Sequence, residues 1–174
     1  MIIRKATNAD LASLLFLYKA VSKLDDGIAR TADEIDADYI SNIFNQADKN
    51  GFIFVAENPK NPAQIIGCIS CSKIGPQCFN DTLSNLTILV DPNFHGQGIG
   101  RKIFLKLLET AKKNNIARIE LTVRQSNPKA IKLYQSLGFE IEGLMRKRIL
   151  NSRNELEVDN MMAWLNPDYY RIKI

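Results

Sequence analysis

The chain has one histidine, one tryptophan and three cysteines among 174 residues, and these scarcities exclude whole classes of function. A lone histidine, His95, cannot supply a His-based metal site. Cys68, Cys71 and Cys78 are an odd count, which suits a reducing compartment better than a disulfide framework. Cys68 and Cys71 do spell C-x-x-C, but the stretch Gln64 to Cys71 has the composition of a strand, where residues three apart point to opposite faces. No metal or redox pair is expected there. No apolar run approaches the roughly 20 residues that span a bilayer, and Met1-Ile2-Ile3-Arg4-Lys5 lacks a signal-peptide core. The expectation is a soluble, cytoplasmic chain with no membrane partner. A net charge of +4, with its basic residues dispersed, argues against a nucleic-acid groove. No linker rich in Ser, Pro or Gly interrupts the chain, so residues 1–174 read as one domain.

What is present is a regular alternation of elements. Ile2 and Ile3 begin a short strand, and Thr7-Asn8-Ala9-Asp10 has the spacing of a capping box ahead of a helix. Leu11, Leu14, Leu15, Tyr18 and Val21 form that helix's inner face, with Phe16 and Leu17 widening the apolar arc. Thr31-Ala32-Asp33-Glu34 repeats the capping pattern, and Ile35, Tyr39, Ile43, Phe44 and Ala47 follow at helical spacing. Around this second start lie Asp25, Asp26, Asp33, Glu34, Asp36 and Asp38, opposed by Arg30. They are either first-turn acids on a solvated surface or an anionic wall for a cationic acceptor.

Phe52 to Ala56 and Ile65 to Ser72 make a hairpin about Asn58-Pro59-Lys60-Asn61-Pro62, and Leu83 to Val90 is a further strand. A long amphipathic helix, carrying Ile103, Phe104, Leu107, Leu108 and Ala111 on one side, separates it from the alternating strand Arg118 to Arg124. This is a β-α-β crossover, so the two strands are parallel neighbours. Ser126-Asn127-Pro128 opens a short helix that stops at Gly138, and strands at about Phe139 to Leu150 and Glu157 to Leu165 close the chain as a hairpin. The fold class is α/β (α+β): a mixed, mostly antiparallel sheet with a parallel central pair, helices on both faces, in the order β-α-α-β-β-β-α-β-α-β-β.

Between the crossover's first strand and its helix stands Val90-Asp91-Pro92-Asn93-Phe94-His95-Gly96-Gln97-Gly98-Ile99-Gly100-Arg101. Three glycines at alternate positions allow close backbone approach, and the N–H groups of a new helix attract an anion. The same glycines would also serve a tight strand-to-helix turn and nothing more.

Two motifs together resemble the GCN5-related N-acetyltransferase family. His95-Gly96-Gln97-Gly98-Ile99-Gly100 meets the family's Q/R-x-x-G-x-G/A apart from His95, and Asn127 to Phe139 meets N-x-x-A-x-x-L-Y-x-x-x-G-F at every fixed position. Residues 83–165 carry the resemblance, and 1–82 would build the acceptor side. It implies acetyl-CoA as cosubstrate, no metal, and a primary amine of a small molecule, first an amino acid, as acceptor; a homodimer is compatible with it. The alternatives are protein N-terminal acetylation and a non-catalytic acyl-CoA sensor.

By the family pattern, backbone groups of Ile88 and Val90 pair with the pantetheine arm, and a bulge there frees an N–H for the thioester oxygen. His95, Gly96, Gln97, Gly98, Ile99, Gly100 and Arg101 hold the pyrophosphate. Asn127 lies by the arm or merely caps its helix, and Tyr134 protonates the leaving thiolate or is only a packing aromatic. The branch acting on ribosomal-protein N-termini has a glutamate where this chain has Thr122, and many relatives have an acid where it has Asn85. Glu120 is then the nearest candidate base, or else an ordinary exposed or paired residue, with ordered water taking the proton.

Overall fold

The computed structural model describes residues 1–24, 27–151 and 153–170. Its strands are β1 (Ile3–Lys5), β2 (Gly51–Asn58), β3 (Asn61–Lys73), β4 (Thr82–Val90), β5 (Arg118–Arg124), β6 (Glu140–Leu150) and β7 (Leu156–Leu165). They form one sheet in the order β1-β2-β3-β4-β5-β7-β6. β4 and β5 run parallel, while β1/β2, β2/β3, β5/β7 and β6/β7 pair antiparallel. The helices are α1 (Leu11–Val21), α2 (Ala37–Asn50), α3 (Ile99–Lys113) and α4 (Pro128–Ser136), so the element order matches the one read from periodicity. Contacts divide the chain into two compact units, Met1–Ser72 with Thr87–Leu107 and Lys73–Leu86 with Leu108–Ile174.

In the first unit, Leu14, Leu17, Tyr18 and Val21 of α1 and Ile40, Phe44 and Ala47 of α2 share a core with Ile53, Val55 and Cys68 of the sheet. Phe16 departs from the sequence reading. It is 77% exposed, because one helical step from buried Leu17 turns it to solvent. The second capping box also differs. Thr31 and Glu34 cap a separate one-turn 3-10 helix, Ile35 is extended, and α2 begins at Ala37 under Asp36, whose side chain accepts from the Tyr39 N–H. Glu34 and Asp36 are therefore occupied as caps, and Arg30 lies 4.5 Å over the Tyr39 ring. These acids follow the bland reading; Asp25 and Asp26 lie outside the described residues. On the other face of β3, Gly67 admits α3: a Cβ there would sit 2.6 Å from Ile103 Cδ1.

Both Cys68 and Cys71 are buried in β3, opposite Val55 and Phe52. Burial pushes each thiol up to about 12, well away from the thiolate that metal or redox chemistry needs. Among the described residues no helix is long and apolar enough to cross a membrane.

The second unit depends on the β5/β7 ladder, seven pairs from Arg118↔Leu165 to Arg124↔Asp159. Ile119, Leu121 and Val123 share one face with Asn160, Met162 and Trp164, all buried. Gly138, just past α4, would place a Cβ 3.5 Å from Trp164 Cδ1, so the end of α4 packs on that face. The opposite face carries Arg118, Glu120, Thr122, Arg124 and Asp159. The tail folds back on the turns that precede β5 and β4: Asn166 Nδ2 donates to the Ile116 carbonyl (2.8 Å) and the Tyr169 hydroxyl to Asp81 (2.7 Å).

A partly buried ion network anchors the amino end. Arg4 Nη1 and Nη2 reach both oxygens of Asp10 (2.7 and 2.8 Å), and its Nε reaches Glu57 (2.5 Å). Hydrogen bonds from Arg4 hold the Asp10 carboxyl below its ordinary 3.8. A depressed carboxylate contributes stability that is fully present above the unfolded value and lost as pH falls through the folded one. Asp10→Asn is expected to lower unfolding free energy by about 2–4 kcal/mol at pH 7. In urea titrations that deficit should begin to shrink below about pH 4, where the unfolded chain's carboxylate takes up its proton, and vanish once the folded carboxylate does so at lower pH.

Candidate active site

The glycine loop grows out of β4. Asp91 Oδ1 accepts from the Asn93 N–H (2.9 Å), closing a proline-led turn, and His95 Nε2 lies 3.0 Å from the Val90 carbonyl. A carbonyl only accepts, so that ring nitrogen carries the proton. His95, the departure from the family pattern, thus tethers the loop to the strand it leaves. Gly96 and Gly98 have φ of +76° and +72°, and an added Cβ would meet nothing within 4 Å at either. Glycine is required here by the left-handed backbone, and the space before it is open. Lys102 N donates to the Gly98 carbonyl (3.1 Å), so α3 starts at once, and its first turn presents N–H groups with no carbonyl of their own helix behind them. Buried Ile99 fixes the helix while Gln97 and Arg101 stay exposed. An open, left-handed loop at a helix N-terminus fits a pyrophosphate. Ile88 and Val90 are half-buried either side of buried Leu89.

In the second unit, β4 starts in parallel register with β5 at Thr82↔Arg118 and Leu83↔Ile119. Two residues later Asn85 takes φ +50°, a left-handed residue inside a strand. This interrupts the regular backbone of β4 ahead of Ile88 and Val90.

Tyr134 is 7% exposed in α4, its ring 6.1 Å from that of Phe139. Burial pushes its phenol up to about 12. It is fully protonated at neutral pH, as a proton donor must be. Asn127 Oδ1 accepts from the Ala130 N–H (3.0 Å), so its capping role is filled. Glu120 is held on both sides: Arg118 Nε reaches Oε1 (2.6 Å) and the Ser84 hydroxyl reaches Oε2 (3.4 Å), while Arg118 also grips Glu142 (2.8 Å).

Asp159 lies in the stretch that carries the resemblance, without a role assigned from sequence. It is 3% exposed, and its Oδ1 is buried without a hydrogen-bond partner. An aspartate between Val158 and the apolar run of β7 was the available signal.

Among the described residues no three His, Cys, Asp or Glu side chains are grouped to hold a metal ion.

The model of the acetyltransferase (GNAT) family matches residues 18–139. An uncharacterized N-acetyltransferase of Methanocaldococcus jannaschii is 34% identical over 154 residues, 84% of this chain and 66% of that protein. The ribosomal protein bS18-alanine N-acetyltransferase of Escherichia coli K12 is 42% identical over 83 residues, 48% of this chain and 55% of that protein. The chain thus spans between about half and two thirds of these relatives' length. The structure of yncA from Salmonella typhimurium with its cofactor acetyl-CoA superposes with a TM-score of 0.85 at 22% identity, covering 99% of this chain and 98% of that one.

Gly98→Ala tests the loop. Forcing a side chain into its left-handed backbone is expected to cost about 1–2 kcal/mol, which should appear as roughly tenfold weaker CoA binding by calorimetry with only a few degrees lost in Tm.

Proposed function

The chain belongs to the acetyltransferase (GNAT) family, and from that membership we propose that it transfers the acetyl group of acetyl-CoA to an α-amine, a free amino acid first. The observation that carries the choice of amine is the engagement of Glu120 by Arg118 (2.6 Å) beside Thr122, which leaves that strand face without a free exposed carboxylate to deprotonate a strongly basic amine. Freeing an α-amine of pKa near 7.8 at pH 7 costs about 1 kcal/mol, against about 4.6 kcal/mol for a lysine-type amine near 10.4. A weakly assisted site therefore suits the first.

In this reading the amides from Gly96 to Arg101 hold the pyrophosphate, backbone groups of Ile88 and Val90 and the Asn127 side chain line the pantetheine arm, and Tyr134 gives its proton to the departing thiolate. Proton transfer from a phenol near 12 to a thiol near 8.5 is uphill by about 5 kcal/mol. That is affordable inside an overall barrier of about 13–17 kcal/mol for ordinary turnover numbers, and the phenolate formed recovers a proton as the attacking nitrogen sheds its second. A second reading, acetylation of a protein N-terminus, is favoured by the name of the Escherichia coli relative and uses the same α-amine chemistry.

Assays across free amino acids, alanine-initiated peptides and polyamines should give α-amines a preference of about 400-fold at pH 7 from protonation alone. A preference for polyamines or lysine side chains contradicts the proposal. Tyr134→Phe is expected to lower kcat about 100-fold or more with unchanged CoA affinity; wild-type turnover in that variant removes the acid role.

A further inference from the structure

Asp159 presents a physical problem that its surroundings do not solve. A buried carboxylate oxygen with no donor costs on the order of 1–3 kcal/mol, and β7 keeps one at Oδ1 in a residue only 3% exposed. The remaining help is thin. Arg148 Nε lies 3.5 Å from Oδ2, on a side chain 54% exposed. Burial holds the carboxyl above its ordinary value, with the Thr122 hydroxyl and the charges of Arg148 and Arg124 pulling it part of the way back.

The backbone is bent to make this arrangement. Between Met145↔Asp159 and Ile149↔Glu157, β6 spends three residues against one of β7, and Lys147 in the middle takes φ +55°. In a regular strand Arg148 would point away from the face that Met145 shares with Asp159; the bulge turns it toward the carboxylate. Asp159 stands opposite Arg124 and diagonal to Thr122, so all three share one face of β5 and β7, opposite the face on which α4 ends. Thr122 is exposed on that face, and Asp159 is covered.

We propose that Thr122 and Asp159 act as a proton relay for the acceptor amine, the exposed threonine hydroxyl contacting the ammonium group and the buried aspartate receiving the proton. The balance is simple. The ammonium N–H bond breaks, its proton goes to Thr122 Oγ, and the hydroxyl's own proton passes to Asp159, which becomes neutral. The freed nitrogen forms the C–N bond as the C–S bond breaks, and Tyr134 protonates the sulfur. The nitrogen's second proton restores Tyr134 and Asp159 returns its proton to solvent, so one proton is released per acetyl group. Asp159 acts through Thr122, as a positioning residue and proton sink. The inference rests on the α-amine reading above, because a carboxylic acid is a better match to an amine near 7.8 than to one near 10.4.

The groups facing Asp159 are Arg124 of β5, Arg148 of β6 and Thr122 of β5. The test uses the whole chain, with free alanine and an alanine-initiated peptide as probes and the best amine of the acceptor panel alongside. In wild type, log kcat/KM should level off below the pKa of the amine, once Asp159 has ionised. In Asp159→Asn it should fall about 100-fold or more at pH 6 and climb tenfold per pH unit until about pH 8, where the amine itself deprotonates. Thr122→Val should behave the same way and Thr122→Ser should restore the wild-type profile; Thr122 is exposed, so these variants do not depend on core repacking. Because Asp159→Asn removes an uncompensated buried charge, its Tm should hold or rise. A wild-type pH profile in Asp159→Asn or Thr122→Val overturns the relay, as does a large loss of Tm with unaltered profile shape. A panel won by polyamines defeats the α-amine reading instead, and the profile can still be read with that amine.

Discussion

The register of β5 against β7 is the constraint on which the second unit depends. Seven consecutive pairs sort its side chains into an apolar face, with Ile119, Leu121, Val123, Met162 and Trp164, and a polar one, with Arg118, Glu120, Thr122, Arg124 and Asp159. A slip of one residue would exchange the faces. It would bury Glu120 and Arg124 under α4 and expose Trp164, a combination no local rearrangement could offset. The same register gives Tyr134 and Asp159 different surroundings: Tyr134 belongs to α4, which ends against Trp164, while Asp159 and Thr122 occupy the opposite face.

Burial, more than charge pairing, sets protonation in this unit. Tyr134 and Asp159 are both raised chiefly by desolvation. Arg118 and Glu142 show the contrary regime, each shifted first by its hydrogen bond to the other. Paired charges thus hold these strands together, while Tyr134 and Asp159 owe their shifts first to burial. His95 has a similar double character. It replaces the family's residue at the head of the glycine loop yet anchors that loop by its bond to the Val90 carbonyl.

The order of elements was legible because each strand and helix carries its own period and its own punctuation: Thr7 and Asp10, Asn127 and Pro128, Leu137 to Phe139. The glycine loop and Tyr134 were legible through motif spacing. Three features were not. Nothing in Thr31 to Glu34 distinguishes a one-turn helix from the start of a long one, since Asp36 is an equally good cap. The left-handed Asn85 is a backbone event with an ordinary side chain. Asp159 lay within a recognised stretch, but its meaning comes from the strands beside it, above all a bulge in β6 that no periodicity announces.

The central claim, that burial poises a tyrosine as acid and an aspartate as base, can be measured without any acceptor. Carbon-13 NMR titration of the side chains, assigned by comparison with Tyr134→Phe and Asp159→Asn, reads both groups in the free protein. The account predicts an Asp159 carboxyl that titrates clearly above the ordinary aspartate value of about 3.9, and a Tyr134 phenol still protonated at pH 10. An Asp159 that titrates at or below 3.9 together with a Tyr134 half ionised near pH 10 would contradict it.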